Sequence, residues 1–325
     1  VIEPQTDERQ RMADRKPLAV VSVSGGKDST ATALLAMDRM GRKNCRFVFA
    51  DTGNEHELTL EYVNNYMPTV FGEVITLKAD FSRQIAGKRA YVETKWPGKG
   101  VPDDIIRRAL SILHPTGNAF LDLCLWKGRF PSRMAQFCTQ ELKRRPLDAY
   151  MLDRLYEGWE LSSWRGIRRD ESRNRKDAKD REMAAEGWMI ERPIASWTAQ
   201  QTVDFVRDRG VRLNPLYSLG MKRVGCMPCI NCGKDELLEI SKRFPDHVAR
   251  IREWEAIVSA ASKLGGTTFF SDAWDEENET ILEFWDRLKI DGRIKWAETS
   301  WGGRQQDFVR QQEAEACSSL YGLCE

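Results

Sequence analysis

The stretch that most constrains this chain is LAVVSVSGGKDSTATAL, residues 18–34. LAVVSV (18–23) is a continuous, β-branched apolar run, the pattern of a strand covered on both faces in a parallel sheet. Two glycines follow, then Lys27, Asp28 and Ser29, and from Asp28 to Met40 apolar residues recur at helical spacing. A strand that enters a helix through a glycine turn leaves backbone N–H groups at the helix N-terminus, where the helix dipole also favours negative charge. Such a turn suits a phosphate, with Lys27 as a point charge and Ser24 and Ser29 as hydroxyl donors. Its glycine spacing fits neither the usual nucleotide-triphosphatase loop nor the dinucleotide fingerprint. Asp28 beside an anion is a charge conflict, which a bound Mg²⁺ or an amide contact would resolve.

CRFVFA (45–50) reads as a second strand ending at Asp51, and EVITLKA (73–79) as a third. A helix from about Glu55 to Met67 lies between them, stopped before Pro68. This alternation predicts an α/β fold: a parallel twisted sheet flanked by helices, with a mostly helical cysteine-cluster C-terminal region. Residues 1–17 are expected to be a polar N-terminal extension. Residues 18–235 form the nucleotide domain, with an insertion near 83–131 where Gly98, Gly100, Pro102, Pro115 and Gly117 break the periodicity and Asp103 to Leu113 reads as a helix. Residues 236–325 form a helical region and tail. WELSSWRGIR (159–168) reads as a strand running into a basic loop, and WTAQQTVDFVRDRG (197–210) as a helix capped by Thr198 and stopped at Gly210. Further helices are predicted at 234–243, 246–263 and 276–288.

Lysine plus arginine (50) nearly balances aspartate plus glutamate (49), so global charge favours no partner class. Distribution says more. Arg165, Arg168, Arg169, Arg173, Arg175, Lys176, Lys179 and Arg181 crowd one stretch. Guanidinium forks suit phosphate or sulfate, and the bland alternative is an ordinary ion-pair network. Trp159, Trp164, Trp188 and Trp197 flank it; exposed, they would stack on nucleic-acid bases, and otherwise they are core. No apolar run is long enough for a membrane span, and residues 1–17 lack an apolar signal core, so a cytoplasmic protein is expected. Eight cysteines in such a chain point to metal or redox chemistry rather than a disulfide scaffold. Cys226, Cys229 and Cys232 form C-x-x-C-x-x-C, a spacing that lets thiolates converge on one centre. The fourth ligand is then one of Cys138, Cys124, Cys45, Cys317, Cys324 or a histidine, and tetrahedral zinc is the chemical rival to an iron–sulfur cluster.

SGGKDS (24–29) resembles the pyrophosphatase-type loop of the adenine nucleotide alpha-hydrolase superfamily. DTGNEH (51–56), CTQELKRRPL (138–147), GIRRDESRNR (166–175) and NPLYSLGMKRVGCMPC (214–229) follow in the order of segments of the phosphoadenylyl-sulfate reductase family, which the chain resembles from about residue 18 to 235. The resemblance implies that Ser24, Gly25, Gly26, Lys27, Asp28 and Ser29 bind phosphates, that Asp51 lies near the nucleotide, and that Arg168 and Arg175 bind the anionic part of the substrate. It also implies a 4Fe-4S cluster on Cys138, Cys226, Cys229 and Cys232. The lone Cys138 and the cysteine triplet are closer to the family's DNA phosphorothioation branch. The ending Tyr321-Gly322-Leu323-Cys324-Glu325 departs from the Cys-Gly-Leu-His tail of the reductases, and Cys317 could partner Cys324 as a dithiol.

These resemblances lead to the expectation of an ATP pyrophosphatase or adenylyltransferase-type enzyme. ATP with Mg²⁺ would occupy the loop, with Lys27, Asp28 and Arg168 as catalytic residues. An acceptor, with DNA as one candidate, would be activated for sulfur delivered by a donor protein such as a cysteine desulfurase. The alternatives are a thiol-dependent reductase of adenylyl sulfate or phosphoadenylyl sulfate that releases sulfite, and a non-catalytic adenine-nucleotide-binding regulator.

Overall fold

The structure, a computed structural model, describes residues 15–172, 175–272 and 279–299. Six strands form one sheet: β1 (Pro17–Val23), β2 (Cys45–Asp51), β3 (Val74–Lys78), β4 (Glu160–Trp164), β5 (Arg181–Met183) and β6 (Met189–Glu191), in the order β3-β2-β1-β4-β6-β5. Pairing is parallel from β3 through to β6, and β5 closes the edge antiparallel to β6. The sheet is therefore mixed. The β5–β6 hairpin escapes a sequence reading because three-residue strands are too short to display an alternation.

The central strand explains its own sequence. Val21 lies opposite Phe47 of β2 and Trp164 of β4. Ala19, Val21 and Val23 face one apolar cluster with Ala31, Leu34, Phe49, Tyr62 and Met67. Leu18 and Val20 face the other, with Val48, Met151, Leu161 and Trp188. A strand buried on both faces is apolar along most of its length, Ser22 being the polar exception inside β1, and each buried aliphatic side chain contributes about 1.5–3 kcal/mol of transfer free energy as an upper figure. Polar chemistry is left to the strand ends.

A third apolar cluster lies off the sheet. The 83–131 stretch is helical at Ser82–Lys95, Asp103–Ile112 and Ala119–Lys127. Trp96, Phe120 and Leu123 from this stretch pack with Trp254 and Val258 of helix Pro245–Ala261 and with Phe269 beyond its end. Two of its helices hide in the sequence for opposite reasons. Ser82–Lys95 buries only Ile85 and Val92, too few for an apolar stripe, whereas Ala119–Leu125 is buried on every side and so has no polar face to set a period. The helices at Lys234–Arg243, Pro245–Ala261 and Ile281–Leu288 fall where the periodicity puts them, and Ile290–Glu298 adds a fourth. This region is helical as expected, but the apolar cluster organises it rather than a cysteine cluster.

Two prolines are accommodated in the same way. The helix from Glu57 does not stop before Pro68; a wide turn at Tyr62–Tyr66 intervenes and Pro68 opens a new segment, Met67–Phe71. Pro146 likewise begins Arg145–Tyr156 after a wide turn at Thr139–Arg144. In a first helical turn the missing proline N–H leaves no bond unmade. Thr198 and Gln201 form the capping box of Ala199–Asp208.

Glu255 is buried in the helical layer, where its carboxyl accepts N–H bonds from Phe269 (2.8 Å) and Ile290 (3.1 and 3.2 Å). Burial pushes its pKa up to about 7, against the pull of those donors. A carboxyl with a raised folded-state pKa stabilises the fold below its unfolded pKa, and that contribution is lost as pH rises through the folded value. The layer should therefore lose on the order of 3 kcal/mol between about pH 4.5 and pH 7. Thermal melts of wild type and Glu255→Gln across this window read the effect: the wild type should fall more steeply, and equal slopes contradict the shift.

Candidate functional site

The chain runs from β1 to β2 and β3 on one side, then crosses back to place β4 on the other side of β1. The loops leaving β1 and β4 therefore diverge at the carboxyl edge, the topological switch point where open α/β sheets hold ligands. Ser24–Ser29 leaves β1 there, Arg165–Arg168 leaves β4, and Thr52–Glu55 leaves β2.

Close packing shapes the first loop. Gly25 has φ +75°, and a Cβ on it would lie 3.1 Å from Val63 and 3.2 Å from Thr59. Gly26 is the extended N-cap of helix Lys27–Met40 and has no side chain to cap with. The Lys27 backbone N–H donates instead to the Tyr217 hydroxyl at 3.0 Å. Ser29 Oγ donates to the Gly26 carbonyl (2.9 Å) and accepts from the Ser24 N–H (3.1 Å). Tyr217 is presented by a short turn that Asn214 caps by accepting from the Leu216 N–H. Both residues lie in the NPLY segment, yet reading it as a motif assigned neither of them a role.

Asp28 is held by protein cations. Its Oδ1 accepts from Arg168 Nε at 2.7 Å, and its Oδ2 lies 3.5 Å from Lys27 Nζ. These pairings resolve the charge conflict that Mg²⁺ was expected to resolve. Arg168 is buried and also donates to Asp170 at 2.5 Å. Burial pushes its pKa down, but Asp28 and Asp170 outweigh burial and hold it above the ordinary arginine value. Gly166 makes this geometry possible: a Cβ there would lie 2.7 Å from the Asp28 backbone and 2.8 Å from the Ser29 nitrogen. The rest of the basic run is largely an ion-pair network, with Arg169 on Asp180 and Arg175 on Glu171. Arg173 lies outside the described residues. Trp164 and Trp188 are buried in the sheet's two cores.

Asp51 closes β2, its Oδ1 accepting from the Gly53 N–H at 2.9 Å. Asn118 holds the Gly53 carbonyl at 2.7 Å. Behind this turn Thr52 donates to buried Glu55 at 2.6 Å and sits 3.4 Å from Cys226 Sγ. Burial raises the Glu55 pKa, partly offset by the Thr52 bond. Asn54 joins the cysteine segment through its own carbonyl, to the Met227 N–H, and through its side chain, to the Pro228 carbonyl.

The 4Fe-4S expectation and its four-cysteine zinc alternative are overturned here. Among the described residues, the group whose ligand atoms all lie within 4.8 Å of one another is His56, Glu57 and His247, a histidine–carboxylate set rather than a cysteine set. The cysteine segments are close enough for Cys138, Cys226 and Cys232 each to feel Cys229, but their sulfurs do not form such a group. Cys226 lies against Thr52, Cys229 accepts from the Asn231 N–H (3.5 Å), Cys232 is buried in the third apolar cluster, and Cys138 packs on its edge. Burial pushes the Cys226, Cys138 and Cys232 thiols above their ordinary range. Cys45 and Cys124 are buried among apolar side chains. Cys317 and Cys324 lie outside the described residues.

His56 and His247 stack with ring centroids 4.7 Å apart and planes inclined by 10°. Both are buried. His56 Nδ1 accepts from the Leu58 N–H at 3.0 Å, while His247 Nε2 lies 2.9 Å from Glu57 Oε2. Burial lowers the His56 pKa, reinforced by His247 and Arg250. Periodicity could not have paired residues so far apart; the available signal was that the chain has only three histidines and one of them sits in DTGNEH.

A profile described as the phosphoadenosine phosphosulfate reductase domain matches residues 18–114 and 118–232, a span that includes all three loops and the cysteine segment. An "uncharacterized 37.8 kDa protein in gpa 5'region" of Escherichia phage 186 is 42% identical over 324 residues, covering 94% of this chain and 96% of that protein. The adenosine 5'-phosphosulfate reductase of Streptomyces coelicolor is 32% identical over 103 residues, covering 30% of this chain and 39% of that one. A crystal structure of phosphoadenylyl-sulfate reductase from Candida auris, in its phosphate complex, aligns with a TM-score of 0.38 and 16% identity, covering 70% of this chain and 90% of that one.

The Asp28–Arg168 pair should be energetically coupled. Arg168→Met leaves the carboxylate without its guanidinium and should cost about 1–3 kcal/mol, the range for a partner removed from a desolvated pair. In a double-mutant cycle with Asp28→Asn, urea unfolding should return a coupling of about 1 kcal/mol or more. Strict additivity would show that the two groups do not support each other.

Proposed function

The chain belongs to the phosphoadenosine phosphosulfate reductase domain family, and on that premise we propose that it reduces the sulfate group of an adenine-nucleotide sulfate ester to sulfite, using a thiol reductant. One observation carries this reading: the loop at the switch point is an anion cradle in which Asp28 is already neutralised by Arg168 and Lys27. The first N–H groups of helix Lys27–Met40 have no partner within the helix and, with its dipole, favour a nucleotide oxyanion. Exposed Ser24 adds a hydroxyl donor at the rim, while buried Ser29 spends its proton on the Gly26 carbonyl and holds the loop in shape. Lys27 stabilises charge on the departing nucleotide. Arg168 acts through Asp28 as a positioning residue. Arg175, paired with Glu171 on the loop, exchanges that partner for the substrate's anionic group, and Asp51 borders the nucleotide from β2.

In the reaction a thiolate attacks the sulfate sulfur and the sulfur–oxygen bond to the nucleotide breaks, the nucleotide leaving with the electron pair. A second thiol then displaces sulfite and the two thiols end as a disulfide. Sulfur transfer to DNA has less to stand on. Two of the tryptophans that could have stacked on bases are core residues, and much of the basic run is paired with carboxylates. No helix among the described residues is long and apolar enough to cross a membrane.

The full chain with adenosine 5'-phosphosulfate, or its 3'-phosphorylated form, and a dithiol should release sulfite and the nucleoside phosphate. Lys27→Ala should lower kcat/KM by about a hundredfold while the protein stays folded, the scale for losing one charge-stabilising donor. Pyrophosphate release from ATP, without sulfite from either sulfate ester, would overturn the reductase reading in favour of ATP pyrophosphatase chemistry.

A further inference from the structure

The His56–Glu57–His247 group lies outside the cradle, and the reductase reading gives it no task. Its dimensions are those of a coordination site. Three ligands at zinc–nitrogen and zinc–oxygen bond lengths in a tetrahedral arrangement stand about 3.3 Å apart. Here Glu57 Oε2 lies 2.9 Å from His247 Nε2 and 3.6 Å from His56 Nδ1. The imidazoles are stacked and buried, which keeps them together, and one ring turns out of the stack for both in-plane lone pairs to meet one ion. His247 Nδ1 faces the Met227 carbonyl at 3.2 Å, the kind of outer acceptor that orients a metal-bound histidine. A cavity of about 360 Å³, lined by these three residues with Phe244, Asp246 and Arg250, opens onto the group.

We propose that His56, Glu57 and His247 bind one divalent metal ion of the zinc class, with a coordination position open to this cavity. Two imidazoles and a carboxylate with an open position are a donor set that zinc takes in catalytic centres. Arg250 is the opposing charge, with one guanidinium nitrogen 2.7 Å from His247 Nδ1. The same nitrogen bonds the Asn54 side-chain oxygen at 3.0 Å and the Met227 carbonyl at 2.9 Å, which it would share with His247, and Nε is buried without a hydrogen-bond partner. Arg250 can therefore keep Asn54 and turn from the imidazole. As the metal arrives the His247 ring changes tautomer: Nε2 gives up its proton, and Nδ1, released by Arg250, takes one from water and donates it to the Met227 carbonyl, so the imidazole stays neutral. His56 also gives up its bond to the Leu58 N–H. The ion would tie the turn after β2 to helix Pro245–Ala261, joining the nucleotide-binding edge to the helical layer. This inference is independent of the reductase reading.

The full-length chain, stripped with a chelator, is titrated with Co²⁺ alone and then with Zn²⁺. One equivalent of Co²⁺ should bind with visible d–d absorption and no thiolate-to-cobalt charge-transfer band, and Zn²⁺ should displace it. His56→Ala and His247→Ala should each weaken binding by about a hundredfold or more, the upper scale for disturbing a metal ligand's support. The Cys226→Ser/Cys229→Ser double variant should leave it unchanged. If the buried histidine variants fail to fold, Glu57→Ala, whose side chain is 72% exposed, reads the same loss in a chain whose fold is checked by circular dichroism. A thiolate charge-transfer band, no bound Co²⁺, or full affinity in folded Glu57→Ala would overturn the proposal. None of these readouts depends on sulfite release.

Discussion

The contact between Asp28 and Arg168 spans 140 residues and ties the start of the first helix to the loop leaving β4. A carboxylate in the first turn suits the helix dipole, and here it is also neutralised by the Arg168 guanidinium and by Lys27. The pair depends on a backbone approach that only Gly166 permits, since a side chain there would overlap Asp28 and Ser29. Tyr217 and Asn214 support the loop from another segment, so three distant parts of the chain meet at one helix N-terminus.

The turn after β2 belongs to two systems at once. On one side Asp51 and Gly53 shape the turn that ends β2. On the other, Asn54 bonds the cysteine segment and Arg250, while Glu57 bonds His247. The helical layer is thus joined to the carboxyl end of β2 by hydrogen bonds, and a change of charge at the histidine pair would be felt a few residues from that strand end.

Much of this was readable in advance. The two-sided burial of β1 and the glycine turn point to a doubly covered sheet, because that arrangement gives the apolar positions on both faces of the strand partners. The capping box at Thr198 and the strand at 160–164 are equally legible. What escaped did so for local reasons. Ala119–Lys127 is too apolar to show a helical face, Ser82–Lys95 too polar, and the β5–β6 hairpin too short. Pro68 stops no helix, because a wide turn moves it to a position where its missing N–H is harmless. The cysteine spacing misled most: regular spacing along a chain says that thiols are near one another, not that their sulfurs point at a common centre.

The sequence by itself determined the strand–glycine–helix unit and the order of the loops around it, because backbone conformation and apolar periodicity are local properties. Tertiary structure alone decided which charges meet. Arg168 finds Asp28, Tyr217 finds the Lys27 N–H, and His247 finds Glu57 across 190 residues. Those partnerships depend on how the sheet and the helical layer pack, and no stretch of chain carries that information on its own.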